Sequence, residues 1–361
     1  MIITKAITVT PGTQKSLALR DIHEPVLKKK ELLLRVKEVG ICGTDIDIVS
    51  GFYGEPPAGS EYLVLGHESL ARVEEAGPGC DGFRKGDLVV PTVRRNCPEN
   101  CLSCRSGESD MCTTGHYKEH GIKGLHGFAS ELAVTDSRFV TTLPESLSEV
   151  GVLLEPLTIV EKGISQSFVM QNSRMKWRPE SALVLGSGPV GLLATAALRL
   201  MGLSVTTVAR KPPGSAKAKL AASTGADYVD VTETPLSSME DRFDLVFEAT
   251  GSTSVALEAQ NLCSTNGVVS FVGIYKSEVE TEDAGSVFTN LVLGNRVFFG
   301  SVNANISYFH RGAKDLVRIR NKWKGFLEGM LTDKVSLDEA ESAYGPKSEK
   351  TVKTVLQISQ D

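Results

Sequence analysis

From Ser181 onward the chain alternates short apolar strands with helical stretches, and this rhythm restricts the region to a parallel sheet covered on both faces. SALVLG reads as a strand, PVGLLATAALRLMG as a helix, SVTTVAR as a strand and KAKLAASTGA as a helix. YVDV, FDLVFEAT and GVVSFVGI continue as buried-type strands, TSVALEAQNLC lies between the last two as a helix, and RVFFGSV reads as the last strand. Between the first strand and the first helix stands Gly186-Ser187-Gly188-Pro189-Val190-Gly191, which fits G-x-G-x-x-G. With 34 glycines in the chain the match alone is weak. Its place, after a strand and at the opening of a helix, is the one a dinucleotide fingerprint requires. Gly186 permits the tight turn, Gly188 lets a pyrophosphate approach the backbone, and Gly191 lets the helix pack on the strand. The pyrophosphate then meets the positive end of the helix. A doubly wound, Rossmann-type domain is expected over residues 156–303.

The end of the second strand selects the nucleotide. About 20 residues past the fingerprint, an NAD-binding chain carries Asp or Glu for the ribose 2′-hydroxyl. Here the stretch is Val208-Ala209-Arg210-Lys211-Pro212, with two cations and no carboxylate. Arg210 can grip a 2′-phosphate in bidentate fashion and Lys211 adds a point charge, so NADP is favoured and NAD allowed.

A chain of 361 residues exceeds the size at which one core stops growing, so a second domain is expected. Residues 1–155 read as mostly β. LLLRVKEVG, YLVLGHESLARVEEAG, DLVVPTVRR and ASELAVT are broken by Gly and Pro in the rhythm of a barrel. The tail holds one long amphipathic helix, YFHRGAKDLVRIRNKWKGFLEGML, and a closing strand, TVKTVLQI, whose alternation returns it to the first domain. That domain is therefore placed at 1–155 plus 304–361.

Within it, Cys97, Cys101, Cys104 and Cys112 follow C-x3-C-x2-C-x7-C. The cluster is too dense for core packing and lacks the dispersed pattern of a disulfide framework. Four thiolates on one polar, turning loop close a tetrahedron around Zn²⁺, a structural site with no open position. Cys42, Cys80 and Cys263 remain, an odd count that suits a reducing cytosol. The N-terminus MIITKAITVT has no signal-peptide pattern, and no apolar run reaches membrane-spanning length. A net charge of −5 offers no basic patch for nucleic acid and no polybasic anchor. A cytoplasmic protein with no nucleic-acid or membrane partner is expected.

Cys42 lies in Gly40-Ile41-Cys42-Gly43-Thr44-Asp45, and His67 with Glu68 in Gly66-His67-Glu68. Cys, His and carboxylate are all zinc ligands, and three of them plus water make an open, catalytic site. At this point the chain resembles the zinc-dependent medium-chain dehydrogenase/reductase family, over nearly its whole length. The shared order is a GICGTD-type turn, a GHE segment, a four-cysteine lobe and then a Rossmann fold. The resemblance implies a GroES-like β-barrel catalytic domain carrying two zinc ions per chain, one catalytic and one structural.

Within that family, ICGTDIDIVSG, EYLVLGHE, KGDLVVPTVRR, EHGIKGLHGF, LLEPLTIVEK and GSVNANISYFH are similar to stretches of the archaeal-type glucose dehydrogenase branch. The resemblance assigns Cys42, His67 and Glu155 to the catalytic metal, with Glu68 as an adjacent or exchanging ligand. It implies oxidation of the C1 hydroxyl of D-glucose, and of D-galactose, to the lactone. Thr44 would take or pass on the hydroxyl proton, Glu119, Glu155 and Asn303 would bind the sugar, and Asn303 would also meet the cofactor. A homodimer or homotetramer through the nucleotide domains is implied as well.

Departures from the family pattern are the extra residue between Cys97 and Cys101, Ala71 after the GHE segment, and Asp47 where many relatives carry a relay histidine. Val93 stands where some relatives have a polar residue, and His116, His120, His126 and His310 read as polar loop or surface residues. A polyol, threonine or secondary-alcohol dehydrogenase shares this fold and metal. A metal-free NADPH-binding reductase or sensor would share the two domains without needing Cys42, His67 and Glu155 together.

Overall fold

The structure is a computed structural model describing residues 3–275 and 284–359. These gather into two compact units, the first running through Glu155 and taking in Asn303–Val317 and the chain from Leu331 onward. The second comprises Pro156–Val302 and Arg318–Met330.

The first unit is built around strand Glu31–Gly40, whose LLLRVKEVG sequence is buried on nearly every position. Both of its edges are occupied. Strand Glu68–Ala76 pairs antiparallel along one of them. Strand Leu132–Asp136 pairs antiparallel with it from Leu132↔Arg35 to Asp136↔Glu31, and Lys353–Gln357 pairs antiparallel with it near Gly40. TVKTVLQI thus does return to this unit, and strand Leu331–Ser336 lies parallel beside it. A second sheet, ordered Ala18–His23, Ile3–Val9, Leu63–Val64, contributes Ile7, Val9 and Leu63 to the core that Leu32, Leu34, Val36 and Val39 fill from the first. Burial of this apolar surface, at roughly 25 cal/mol per Å², is the main force closing the unit.

The second unit carries six parallel strands, Ser181–Leu185, Ser204–Ala209, Asp227–Asp230, Phe243–Glu248, Cys263–Phe271 and Val297–Gly300. Counted along the chain their spatial order is 3-2-1-4-5-6, the doubly wound order whose switch point lies between strands one and four. RVFFGSV closes the sheet at its edge.

The tail departs from the expectation of one long helix within the first unit. Helix Ile306–Lys322 ends before Gly325, which adopts φ +83, and a short helix, Phe326–Met330, follows. A glycine in the left-handed region is a strong helix stop. Residues 318–330 belong to the second unit, where Ile319, Phe326, Leu327 and Met330 are buried and Gly329 approaches Leu220. Asn303 falls in the first unit.

Candidate active site

Cys42 caps helix Gly43–Val49: its thiol accepts from the Thr44 N–H at 3.2 Å. Three residues on, the fully buried Asp45 completes the capping box by accepting the Cys42 N–H at 2.9 Å. The other oxygen of Asp45 lies 3.3 Å from His67 Nδ1, and His67 Nε2 lies 3.1 Å from Cys42 Sγ. One carboxylate therefore fixes the Cys42 backbone and the imidazole, and it leaves Nε2 aimed at the thiol. Metal-binding histidines are oriented by a carboxylate on the opposite ring nitrogen in this way. Burial opposes charge on His67, but Asp45 and Cys42 outweigh it and hold the imidazole well above its usual pKa. A cation arriving here displaces that proton.

Glu155, in the first turn of helix Leu154–Asn172, brings a carboxylate to the same place. Ligand atoms of His67, Glu68 and Glu155 lie within 4.8 Å of one another, as do those of Cys42, Asp45 and His67. Burial, and then the charge of Glu68, push the Glu155 carboxyl up from the usual range. Crowded, desolvated carboxylates beside a thiol and an imidazole form a donor set that a divalent cation completes, so the residues fit zinc. Glu68 already has a countercharge: it forms a buried ion pair with Lys353. Gly40 sits between those two chains, and a Cβ there would overlap the Glu68 carboxylate and press on the Lys353 side chain.

The four-cysteine lobe is closed around its thiols. Cys101 Sγ and Cys112 Sγ are 3.9 Å apart, and all four sulfurs lie within 4.8 Å of one another. A tetrahedron of Zn–S bonds about 2.3 Å long has edges of about 3.8 Å, whereas a disulfide needs about 2.05 Å. The Cys101 N–H donates to Cys97 Sγ at 3.3 Å and the Cys97 N–H to Cys104 Sγ at 3.4 Å. All seven cysteines are free of disulfides.

Glu119 borders a hollow of about 270 Å³ lined also by Tyr53, Gly54, Glu55, Tyr117, Ile122 and Lys123. This is below the roughly 300–1,000 Å³ of drug-sized ligands and suits a smaller molecule. The Glu119 Oε1 accepts from Arg94 Nε at 3.0 Å and from Asn303 Nδ2 at 2.9 Å. Asn303 holds φ +58, a left-handed conformation that asparagine tolerates. Asp47 and Thr44 are half-buried, and Val93 is buried in the core. His120 departs from the reading of a loop or surface histidine. It is buried, stacks on Phe128 at 4.6 Å and bonds the His126 carbonyl at 2.7 Å. Burial drives its pKa well down.

In the second unit Gly186, at φ +108, turns the chain after strand Ser181–Leu185, and Gly188 caps helix Pro189–Leu200. A Cβ at Gly191 would overlap the Gly186 carbonyl, whereas one at Gly188 would meet nothing within 4 Å. That is the shape of a cradle: tight packing behind, and open space where a pyrophosphate would lie over the helix N-terminus. Pro189 and Val190 begin the helix and Ser187 is buried. The exposed Arg210 and the half-buried Lys211 follow strand Ser204–Ala209. The Tyr228 hydroxyl donates to the Lys211 carbonyl at 2.9 Å. It ties the basic turn to strand Asp227–Asp230.

A thiol–imidazole–carboxylate centre on a mostly antiparallel β unit, a separate cysteine lobe and a doubly wound nucleotide fold define a two-domain, metal-using dehydrogenase. The sequence pattern of the alcohol dehydrogenase GroES-like domain matches residues 28–145, and that of the glucose dehydrogenase C-terminus matches residues 148–358. The chain is 46% identical over 355 residues to glucose 1-dehydrogenase 1 of Caldivirga maquilingensis, covering 98% of this chain and 99% of that one. It is 44% identical over 359 residues to glucose 1-dehydrogenase of Methanocella arvoryzae, covering 98% and 99%. Among solved structures it resembles Haloferax mediterranei glucose dehydrogenase in complex with NADP, Zn and gluconolactone. That similarity has a TM-score of 0.90 at 31% identity, covering 99% of this chain and 100% of that one. The chain belongs to the zinc-dependent medium-chain dehydrogenase family, in its glucose dehydrogenase branch.

Proposed function

We propose that this chain oxidises the C1 hydroxyl of D-glucose, and of D-galactose, to the lactone with NADP as hydride acceptor, NAD being allowed. The observation that carries the reading is Glu119, a carboxylate held by two donors on the rim of a small hollow, in the same unit as Cys42, His67 and Glu155. The names of the relatives support it. A site built from carboxylates favours a hydroxyl-rich ligand, because an apolar alcohol would desolvate them without replacing their hydrogen bonds.

Zinc, when bound by Cys42, His67 and Glu155, supplies a Lewis acid that polarises the substrate oxygen. A nicotinamide cofactor, when bound, would supply the hydride acceptor, so that aldose and NADP⁺ would give lactone, NADPH and one proton. The chain's own residues do the rest. Thr44 takes the hydroxyl proton, and Asp45 holds Cys42 and His67 in register. Glu119 and Asn303 orient the sugar, and Asn303 also meets the cofactor. Ser187, Gly188 and the helix N-terminus bind the pyrophosphate, with Gly186, Pro189, Val190 and Gly191 shaping the loop.

Initial rates with aldoses, polyols and secondary alcohols test the reading. Lactone formation from D-glucose is expected to exceed turnover of simple alcohols. Efficient oxidation of a polyol or secondary alcohol with no lactone from any aldose would overturn the reading. A second measurement concerns Arg210. Arg210→Ala should raise KM for NADP by roughly tenfold to a hundredfold, the worth of a charge-assisted pair, and leave KM for NAD nearly unchanged. Equal effects on both cofactors would mean that the turn does not read the 2′-phosphate.

The protein assembles as a homodimer or homotetramer through its nucleotide-binding units. Among the described residues, strand Val297–Gly300 is paired on one side only, and Phe288, Val292 and Leu293 of helix Ala284–Leu293 are exposed. Among the described residues no helix is long and apolar enough to cross a membrane. Disulfide-free cysteines agree with a cytoplasmic location.

A further inference from the structure

The cysteine lobe does more than close on itself. Asp110, two residues before Cys112, is buried, and its backbone carbonyl accepts from Arg94 Nη1 at 3.0 Å. Its Oδ1 accepts from Asn305 Nδ2 at 2.9 Å. Arg94 is itself buried, with its guanidinium 3.6 Å from the centre of the Tyr117 ring and its Nε on Glu119. Asn305 uses its remaining oxygen to accept from the Ser307 N–H and hydroxyl, so it also fixes the start of helix Ile306–Lys322. Two residues earlier, Asn303 reaches the same Glu119 oxygen as Arg94. Asp110 thus anchors both donors that hold Glu119, one through its carbonyl and the other through the Asn305 turn. Both occupy Oε1, and among the described residues nothing hydrogen-bonds Oε2.

We propose that the lobe, acting through Asp110, Arg94 and Asn305, is a built part of the sugar site: it locks Glu119 by Oε1 and presents Oε2 to substrate hydroxyls. Arg94 and Asn305 are positioning residues. Their effect is on which hydroxyls are read, not on the chemical step. A guanidinium suits the task because its planar donors meet a carboxylate and a carbonyl at once, which a lysine ammonium on a flexible stem does not reproduce. The inference rests on the proposed aldose activity.

The test compares D-glucose with its 2-, 3-, 4- and 6-deoxy analogues in the full-length zinc enzyme. In the wild type, loss of a hydroxyl held by Glu119 should cut kcat/KM by on the order of tenfold to a hundredfold. In Arg94→Met that ratio should fall toward one, with KM for D-glucose raised, kcat changed only a few-fold and KM for NADP nearly constant. Arg94→Lys should restore only part of the ratio. Asn305→Asp keeps the acceptor for Ser307 but sets a second carboxylate against Asp110, and should flatten the ratios in the same direction. It carries the test if Arg94→Met does not fold. Deoxy ratios preserved in both variants, with only a uniform loss of rate or of thermal stability, would overturn the inference and leave the proposed activity standing. A wild type that oxidises no aldose would overturn both.

Discussion

His67→Ala should abolish turnover while leaving the fold and the zinc of the cysteine lobe in place. The His67 ring meets Cys42 on one side and Asp45 on the other, and both partners are also anchored by the cap of helix Gly43–Val49. Losing an outer partner of a metal ligand costs about 10- to 100-fold in metal affinity or activity. Asp45→Asn should therefore fall in that range, and loss of the ligand itself should exceed it. The measurement is elemental zinc content together with kcat and a circular dichroism melt. Wild type should hold two zinc ions per chain and His67→Ala one, with a nearly unchanged spectrum. If His67→Ala keeps both ions and its turnover, the catalytic centre is misplaced. If it loses both ions, the two sites are not independent in the way their separate donor sets imply.

What the residues reveal in order and what they hide follows from the range of the interactions. The six parallel strands, the fingerprint loop and the cysteine lobe are local patterns, each written within a few dozen residues, and each was legible. The break at Gly325 was not, because an isolated glycine in a helical pattern is usually tolerated and only its left-handed conformation makes it a stop. Asp45 stands inside a quoted motif, yet its role needs the approach of His67 from the bend before strand Glu68–Ala76. A C-x-x-D spacing at a helix start was the available signal, since it is the spacing of a capping box. Arg94 and Glu119 are 25 residues apart and Asn303 is 184 residues from Glu119, separations at which only the folded sheet brings donors and acceptor together. His120 misled for a related reason: a polar residue between turn signals reads as loop, but stacking on Phe128 and one carbonyl partner satisfy it in the core.

The largest effect on stability should come from Lys353→Met. Lys353 lies on the last strand, whose neighbour Val355 pairs with Gly40, and Gly40 in turn pairs with Glu68 on the other side. The ion pair therefore crosses the central strand at a residue with no side chain, and its two side chains are only 2% and 3% exposed. Two charges taken so far out of water gain little over a well-packed apolar pair, but removing one alone leaves the other desolvated and uncompensated. Glu68 would then face Glu155, already raised in pKa by burial and by that same charge. The expected cost is about 3–5 kcal/mol, read as a lower denaturant midpoint. Methionine keeps most of the aliphatic bulk, so a cavity explains little of the loss. The double variant Glu68→Gln, Lys353→Met removes both charges and should recover most of it, since the penalty belongs to the orphaned carboxylate and not to the missing contact. A single variant as stable as wild type, or a double variant no better than the single, would show that the pair is not what holds this corner of the sheet.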